Sequence, residues 1–425
     1  MRSLASVLAV LPVALSCSYP PQAVIEERQI TKRDVRAGGK CGSQGGNAAC
    51  AADLCCSEEG ACGIGGYFCV APGCQLNFGP ACDGNKTPPG NDTSGLPRPL
   101  FGDVPYGVDV SRCTVPGKVA ITFDDGPNKF TNELLDVLKK NDAKATFFVV
   151  GANSGKGQIE DPSTGLPATI MRMHIEGHQI GSHSWSHQDF NLISSQQRRD
   201  QLVKNEIALV DILGFLPTYF RPPFTKWNDD VLADLKKFGY HNVNFDLDTQ
   251  DWKGDYQVAR DSFSSAVSQK DPASTSFIAV AHDIHEQTVR GYVQYMIDQA
   301  RKYKYELVTV GECLGDPPNN WYRDSTSGRE FGGPAPEKPK KTTISAPSTI
   351  PPQPSSTVPA GISTKPPQTV AASATPAPGP KSTGGSNSSP PASTSKTPKS
   401  SFARHNKSNS ALGVFFGFLI LLTWI

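Results

Sequence analysis

The chain has 425 residues and a formal net charge of only +1 at pH 7. This near-neutral balance gives no reason to expect nucleic acid as a partner, and the length is enough for two or three domains. Most of the Pro excess falls in one stretch, which indicates a linker and not a feature of the fold.

The first 18 residues are typical of a secretory signal peptide. Arg2 supplies a positive start, residues 4–15 are apolar, and small residues around Ser16 offer a cleavage site. The apolar run is too short to span a bilayer, and a buried core helix is the alternative. Residues 19–33 end in a Lys-Arg pair that a processing protease can cut, so they are interpreted as a propeptide.

Residues 41–82 hold eight Cys in a Gly-rich segment with few apolar residues. Such a segment cannot bury a core large enough to fold alone, so disulfides must hold it together. With Cys113 and Cys313 they make an even set of ten, while Cys17 lies in or beside the signal. Residues 83–107 are rich in Pro, Gly and Asn, which favours a linker.

Residues 108–322 are predicted to form the one large globular domain. Short apolar runs alternate with helical patterns, which favours parallel strands with outer helices and hence an α/β fold. Strands are predicted at 119–123, 145–150, from 220 onwards, 241–245, 277–281 and 306–310. Helices are predicted at 132–140, 196–213, 229–238 and 292–303.

The last part of the chain changes in composition. Residues 335–410 are rich in Pro, Ser, Thr and Lys, cannot bury apolar surface and are typical of an extended, O-glycosylated stalk. Residues 411–425 are apolar and follow a polar spacer, a pattern that predicts a GPI-anchor signal replaced by lipid. A short tail-anchored helix is the alternative.

Both ends therefore predict the secretory pathway and a GPI-anchored position at the plasma membrane and cell wall, with membrane contact through the lipid only. Acceptor sequences for N-linked glycans occur at Asn85, Asn91, Asn387 and Asn406. Nothing in the sequence indicates an oligomeric state.

Two adjacent carboxylates, Asp124 and Asp125, end a predicted strand, and Gly126-Pro127 turn the chain directly after them. Strand ends are where α/β folds place their sites. Because neighbouring carboxylates repel, a metal on one and a proton on the other would separate their roles. The alternative is a solvated Asp-Asp-Gly turn.

His183 and His187 lie four residues apart, a usual spacing for metal ligands if the segment enters a helix. His174 and His178 form a rival pair at the same spacing, and either pair alone is more often structural. The Gly, Ser and Trp residues around His183 and His187 are typical of a site loop and favour that pair.

Three further segments follow predicted strands in the same domain. Arg221 begins a Pro-rich turn, Asp248 and Asp251 lie beside Trp252, and His282 ends an apolar strand. Each segment alone is a weak signal, since a strand-end His is more often a satisfied core or surface residue.

Together these five ordered segments resemble the motifs of the polysaccharide deacetylase family (carbohydrate esterase family 4, the NodB homology domain), and its fungal chitin deacetylases in particular. The resemblance covers residues 108–322. It implies an irregular (β/α) barrel with its site at the C-terminal strand ends. It also implies hydrolysis of the N-acetyl groups of chitin or chitooligosaccharides, which gives chitosan and acetate.

The resemblance further implies roles for individual residues. Asp125, His183 and His187 match the family's metal triad, which holds one divalent ion, zinc or cobalt. A divalent ion with three protein ligands and an open position lowers the pKa of bound water and polarises a carbonyl, as amide hydrolysis requires.

Four other residues match the family's acid–base machinery. Asp124 matches the general base and Arg221 the residue that orients it. His282 matches the general acid, and Asp251 matches the partner that tunes that acid. A carboxylate beside His282 would favour the protonated imidazole that an acid needs.

The substrate contacts are also implied. Trp252 and Val280 match apolar walls around the acetyl methyl group. The N–H of Phe224 would add an oxyanion donor. The family usually has Gly after this aromatic residue, whereas Thr225 stands here and adopts the backbone angles open to Gly less readily.

The segment from Cys55 to Gly63 resembles a hevein-type chitin-binding module. That resemblance implies the disulfides Cys41–Cys56, Cys50–Cys62, Cys55–Cys69 and Cys74–Cys82, which leaves Cys113–Cys313 as the fifth pair. Ser57 and Phe68 match residues that hold sugar in hevein modules. Glu59 and Ala61 stand at positions that are usually aromatic and offer no flat apolar face, so a structural role for the module is the alternative.

The sequence thus predicts a metal-dependent deacetylase of chitin or a related N-acetylglucosamine polymer at the cell surface. One alternative is the same chemistry on another acetylated glycan, such as peptidoglycan or acetylxylan. The other is a wall protein that binds chitin without turnover.

Overall fold

The computed structural model describes residues 36–331. The predicted signal peptide, propeptide, stalk and GPI signal, together with Asn387 and Asn406, lie outside the described residues. Across residues 36–331, no helix combines the length and the apolar character needed to cross a membrane.

The strands are short and are spread along the whole described chain. They are β1 (Cys55–Cys56), β2 (Cys62–Gly63), β3 (Asp109–Val110), β4 (Lys118–Asp124), β5 (Thr146–Val149), β6 (Gln179–Ser182), β7 (Phe215–Pro217), β8 (Tyr219–Phe220), β9 (His241–Val243), β10 (Leu247–Asp248), β11 (Phe277–His282), β12 (Glu306–Leu307) and β13 (Tyr322–Asp324).

The helices alternate with the strands in the large domain. They are α1 (Gly66–Cys69), α2 (Thr131–Lys140), α3 (Leu166–Ile175), α4 (Ser195–Leu213), α5 (Asp229–Lys237), α6 (Tyr256–Ser268), α7 (Val293–Lys302) and α8 (Val310–Cys313). The longest, α4, begins at a capping box in which Ser194 and Gln197 satisfy each other's backbone N–H groups, and it ends at Gly214 in the left-handed conformation.

Nine parallel strands form one curled sheet in the order β10-β11-β4-β5-β6-β8-β9-β3, with β12 added at the start of β4. The interior residues of β4, from Val119 to Phe123, are all buried, as expected for a parallel strand covered on both faces. Within residues 36–331 no ladder joins the edge strands β10 and β3, so the barrel is incomplete. The prediction of an irregular (β/α) barrel is therefore confirmed.

The register of the sheet brings several strand ends to one edge. His282 pairs with Asp124 across β11 and β4, and Ser182 pairs with Phe220 across β6 and β8. The residues that end or directly follow these strands therefore lie close together, although they are far apart along the chain.

Two strand predictions were wrong at their ends. The strand predicted from residue 220 onwards stops at Phe220, because Arg221 is followed by two prolines that lack an N–H for a ladder. The strand predicted at 306–310 stops at Leu307, and a capped helix begins at Val310. The alternation of strands and helices did not reveal β6 or α6.

The disulfide-rich module is held by four disulfides around the two-stranded β1–β2 ladder. They join Cys41–Cys56, Cys50–Cys62, Cys55–Cys69 and Cys74–Cys82, the pairs that the family resemblance implies. Cystine sulfurs form most of the module's core, as expected for a segment with few apolar side chains.

The segment predicted as a linker packs on the large domain instead of spanning free space. Arg98 forms a buried ion pair with Glu206 of α4, 2.7 Å long, and Thr93 donates a hydrogen bond to the same carboxylate. Phe101 is also buried. The module and the domain are thus joined by ordered chain.

The two described glycan acceptors differ in their surroundings. Asn91 is exposed. The side-chain amide of Asn85 is half-buried and donates to the carbonyl oxygens of Leu76 and Gly79, at 2.9 and 3.0 Å. The folded structure therefore favours a glycan at Asn91 and disfavours the one predicted at Asn85.

The fifth disulfide, Cys113–Cys313, spans 200 residues, and Cys74–Cys82 spans only 8. Since the chain-entropy contribution grows with loop length, removing Cys113–Cys313 should lower the free energy of unfolding by about 5 kcal/mol, and removing Cys74–Cys82 by about 2.5 kcal/mol. Urea unfolding of the two paired Cys→Ser variants measures both values. Equal losses would contradict the expectation.

Candidate metal and catalytic site

The candidate site lies at the C-terminal edge of the sheet. Asp124 ends β4, His183 follows β6, Arg221 follows β8 and His282 ends β11. The chain turns sharply after each of these strands, which leaves their last side chains pointing into one shared space. The sequence motifs therefore converge here.

Asp125, His183 and His187 bring one potential ligand atom each to within 4.8 Å of one another. Oδ1 of Asp125 lies 3.0 Å from Nε2 of His187 and 3.5 Å from Nε2 of His183. This oxygen is buried and has no hydrogen-bond partner among the described residues. Carboxylate and imidazole donors of this kind suit a divalent transition metal.

The protonation of His183 agrees with metal binding. Its Nδ1 lies 2.6 Å from the carbonyl oxygen of Arg221 and therefore carries the proton. Burial lowers the pKa of His183 to about 4, so the ring is neutral and Nε2 presents a lone pair. This lone pair and Oδ1 of Asp125 are two acceptors that face each other, an arrangement that a cation stabilises.

The spacing of His183 and His187 arises from a loop and not from a helix, so the helical interpretation was wrong. Ser184 and His187 adopt positive φ angles of 71° and 54°. Between them Trp185 is fully buried and anchors the loop, and its ring lies so close to Gly151 that a side chain there would collide with it. The folded loop turns both imidazoles towards Asp125.

The rival pair serves the core. His174 packs against the ring of Phe215 with centroids 4.8 Å apart. Nδ1 of His178 accepts a hydrogen bond from the N–H of Ala145. Neither ring belongs to the cluster of potential metal ligands, which contains His183 and His187 as the flanking composition predicts.

Arg221 holds Asp124 in place. The guanidinium is completely buried and donates from Nη1 to Oδ1 of Asp124 at 2.8 Å and to Oγ1 of Thr122 at 2.6 Å. Its other nitrogens donate to backbone carbonyls, and its plane stacks on the ring of Phe148. A fully bonded, rigid arginine of this kind fixes the orientation of its carboxylate partner.

Asp251 and His282 form a second buried pair. Oδ1 of Asp251 lies 2.7 Å from Nδ1 of His282, and Oδ2 accepts from the N–H of His282 and from Oγ1 of Thr288. Burial opposes the charge on His282, but the hydrogen bond and the negative charge of Asp251 outweigh it and raise the pKa of His282 to about 9. The imidazole is therefore protonated at neutral pH.

The predicted substrate contacts differ in exposure. Trp252 is 52% exposed and Phe224 is 50% exposed. The Phe224 ring meets His187 edge-on at 4.5 Å between centroids. Val280 is buried two positions before His282 on β11 and so lies on the same face of the strand. Val280 thus shares a strand face with His282, while Phe224 contacts the proposed ligand His187.

Strained backbone is concentrated in this region. Asp125, His187, Phe224, Thr225 and Gln250 all have φ between 53° and 75°. Thr225 thus adopts the angles that its family position usually gives to Gly. Such residues cost of order 1–3 kcal/mol each and persist where the surrounding structure holds them, commonly at functional sites.

Two supporting residues were not predicted. Thr122 lies two positions before Asp124 and therefore on the same face of β4, a signal that strand alternation could have provided. Thr288 reaches Asp251 from a helical turn far along the chain, and no local pattern indicates this contact.

The predicted sugar contacts of the module differ in exposure. Ser57 is fully buried, and its Oγ accepts a hydrogen bond from the N–H of Ala61. Phe68 is only partly exposed and packs against the cystines. Tyr67 beside it is 70% exposed, and a hydrogen bond to Glu59 raises the pKa of its hydroxyl.

Replacing Arg221 by Met should destabilise the fold by about 3–5 kcal/mol, because it leaves the Asp124 carboxylate buried without a partner. Chemical denaturation measures the loss. Arg199→Met is the matched control, since Arg199 is exposed on α4 and its removal should change stability little. Similar stabilities of the two variants would contradict this account of Arg221.

Comparison with known proteins agrees with this geometry. Residues 111–243 match the family described as polysaccharide deacetylase, and residues 40–82 match that described as chitin recognition protein. A chitin deacetylase of Colletotrichum lindemuthianum is 43% identical over 52% of this chain and 88% of its own length. One from a Pestalotiopsis species is 41% identical over 55% of this chain and 78% of its own length.

A solved structure of the chitin deacetylase from Colletotrichum lindemuthianum has 42% sequence identity and a TM-score of 0.49, and covers 52% of this chain and 97% of its own. The identity and coverage of the two sequence relatives establish the relationship. The chain therefore belongs to the polysaccharide deacetylase family and carries a chitin-recognition module ahead of its catalytic domain.

Proposed function

We propose that this protein hydrolyses the N-acetyl groups of chitin or chitooligosaccharides and releases acetate and chitosan-like glucosamine polymer. The observation that carries the proposal is the convergence of Asp124 and His282 on the cluster of Asp125, His183 and His187. The names of the fungal relatives and the chitin-recognition module support an N-acetylglucosamine polymer as the substrate.

Asp125, His183 and His187 would hold one divalent metal, zinc or cobalt. When bound, such an ion polarises the acetyl carbonyl and makes water a stronger nucleophile near neutral pH. The lone pair on Nε2 of His183 and the unpartnered Oδ1 of Asp125 support this ligand set.

Asp124 is proposed as the general base. Arg221 occupies its Oδ1, which leaves Oδ2 to take a proton from the attacking water as the water oxygen bonds to the acetyl carbon. The N–H of Phe224 is proposed to donate to the carbonyl oxygen as negative charge develops there. Trp252 and Val280 would enclose the acetyl methyl group.

His282 is proposed as the general acid. Asp251 binds its Nδ1, so Nε2 holds the proton that the leaving nitrogen takes as the carbon–nitrogen bond breaks. Acetate and a free amine then leave. The two protons thus move at two separate residues, Asp124 and His282, each held by its own buried partner.

The family and the module support a place outside the cell, at the wall. The proposed route is the secretory pathway, and the proposed attachment is the GPI lipid predicted from residues 411–425. Five disulfides support this route, because disulfides form and persist in oxidising compartments.

Acetate release from chitin oligomers tests the reaction. The full chain loaded with zinc or cobalt should release acetate, and chelation should abolish the release. Asp124→Asn should lower kcat about 10²–10⁴-fold, because it removes the base and keeps the hydrogen-bond acceptor for Arg221. Metal content of the variant, measured in parallel, should be unchanged.

The substrate alternatives are separated by the same assay. Release from peptidoglycan or acetylxylan with none from chitin oligomers would assign the chemistry to another glycan. If the metal is bound and all three substrates are inert, the protein is a wall protein without turnover.

The pH profile tests the acid. Activity should be lost as the pH rises through the pKa of His282, because the general acid must be protonated. Asp251→Asn removes the negative charge that raises this pKa and leaves only a neutral acceptor for Nδ1, so the alkaline limb of kcat/KM should move to lower pH. Asp248→Asn is the control, since Asp248 bonds the N–H of Gln250 and not His282. Identical alkaline limbs in the wild type and Asp251→Asn would exclude His282 as the acid.

A further inference from the structure

The disulfide-rich module contacts two loops of the large domain, one of which carries a proposed metal ligand. The carbonyl oxygen of Ala71 accepts from the N–H of Ser154 at 3.0 Å, and that of Pro72 accepts from Nε2 of Gln188 at 3.2 Å. Gln188 directly follows His187. The module therefore holds one loop near residue 154 and another beside a proposed ligand.

The first of these loops, residues 151–165, reaches the other proposed ligand through Lys156. Nζ of Lys156 donates to the carbonyl oxygens of Asp125 and Gly126, at 3.1 Å each. The N–H of Val150 also binds the Gly126 carbonyl. For the Asp125 carbonyl, Lys156 is the one hydrogen-bond donor found within residues 36–331.

The backbone that Lys156 holds is strained and tightly enclosed. Asp125 has a φ of 75°, in the left-handed region that an aspartate adopts at a cost. The buried carboxylate of Asp283 lies against Gly126 so closely that a side chain there would collide with it, and Thr131 donates a hydrogen bond to that carboxylate. The turn thus packs against Asp283 and is also held by Lys156.

We propose that Lys156 is a positioning residue for the metal ligand Asp125, and that the disulfide-rich module takes part in the site by holding the Lys156 loop and the Gln188 segment. This inference rests on the proposed metal triad and gives the module a role besides sugar binding. Because partners that orient a ligand commonly contribute 10- to 100-fold to metal affinity, removing Lys156 should weaken binding by about that factor.

The first test is the zinc dissociation constant of the full chain, measured by chelator competition. Lys156→Met should weaken binding about 10- to 100-fold, and Lys156→Arg, which keeps a donor, should retain most of the affinity. Lys144→Met is the matched control, because Lys144 also donates to a backbone carbonyl, that of Glu176, but outside the site. Wild-type affinity in Lys156→Met would overturn the proposal.

The second test asks whether the module is coupled to the site. Linkage requires that if docking of the module favours metal binding, metal binding favours docking. Zinc should therefore slow hydrogen exchange at the Ser154 N–H and in residues 70–75 of the full chain, and Lys156→Met should lose this protection. Exchange that is unchanged by zinc in the wild type would overturn the role of the module.

Both readouts are independent of substrate. If the wild type binds zinc but releases no acetate, the proposed reaction fails and these tests still decide the role of Lys156. If the wild type binds no zinc, the metal site and this inference fail together. Circular dichroism of each variant shows whether it is folded. If Lys156→Met does not fold, the zinc affinity of Lys156→Arg and hydrogen exchange in the wild type still test the proposal.

Discussion

The buried contact between Arg221 and Asp124 is the constraint on which the site depends. Arg221 sits where β8 ends, donates to the last carboxylate of β4, and offers its own carbonyl oxygen to His183 after β6. One residue therefore ties three strand ends together. Because its guanidinium is completely enclosed, any shift of those strands would leave a charge or a donor unsatisfied, which is costly inside a protein.

This constraint explains how two adjacent aspartates can face different partners. Asp124 is bound by Arg221, whereas the backbone at Asp125 has a positive φ and its carboxylate lies beside His183 and His187. Neighbouring carboxylates are thus separated by backbone geometry, and each one faces its own cationic or metal-binding partners. The strain at Asp125 is the local cost of that separation.

The fold and the cluster of potential metal ligands could be predicted because they rest on local signals. Apolar runs such as 119–123 identify strands, and the order of the motifs places His183 and His282 at strand ends. The loop that joins His183 to His187 could not be predicted in this way, since its shape depends on the burial of Trp185 against Gly151 in another strand's turn. The burial of Ser57 is equally a product of the folded module and not of its Cys spacing.

The same distinction explains why the sequence does not indicate a role for Lys156. It lies in a Gly- and Ser-containing loop whose sequence resembles any surface turn, and only folding brings its amine to the carbonyls of Asp125 and Gly126. The strained backbone at Asp125 is supported from outside its own strand, because β4 ends at Asp124 and offers no further ladder partner. That support comes from a loop which the module itself holds through Ala71, so a segment recognisable as a sugar-binding unit is also part of the enclosure of the catalytic edge.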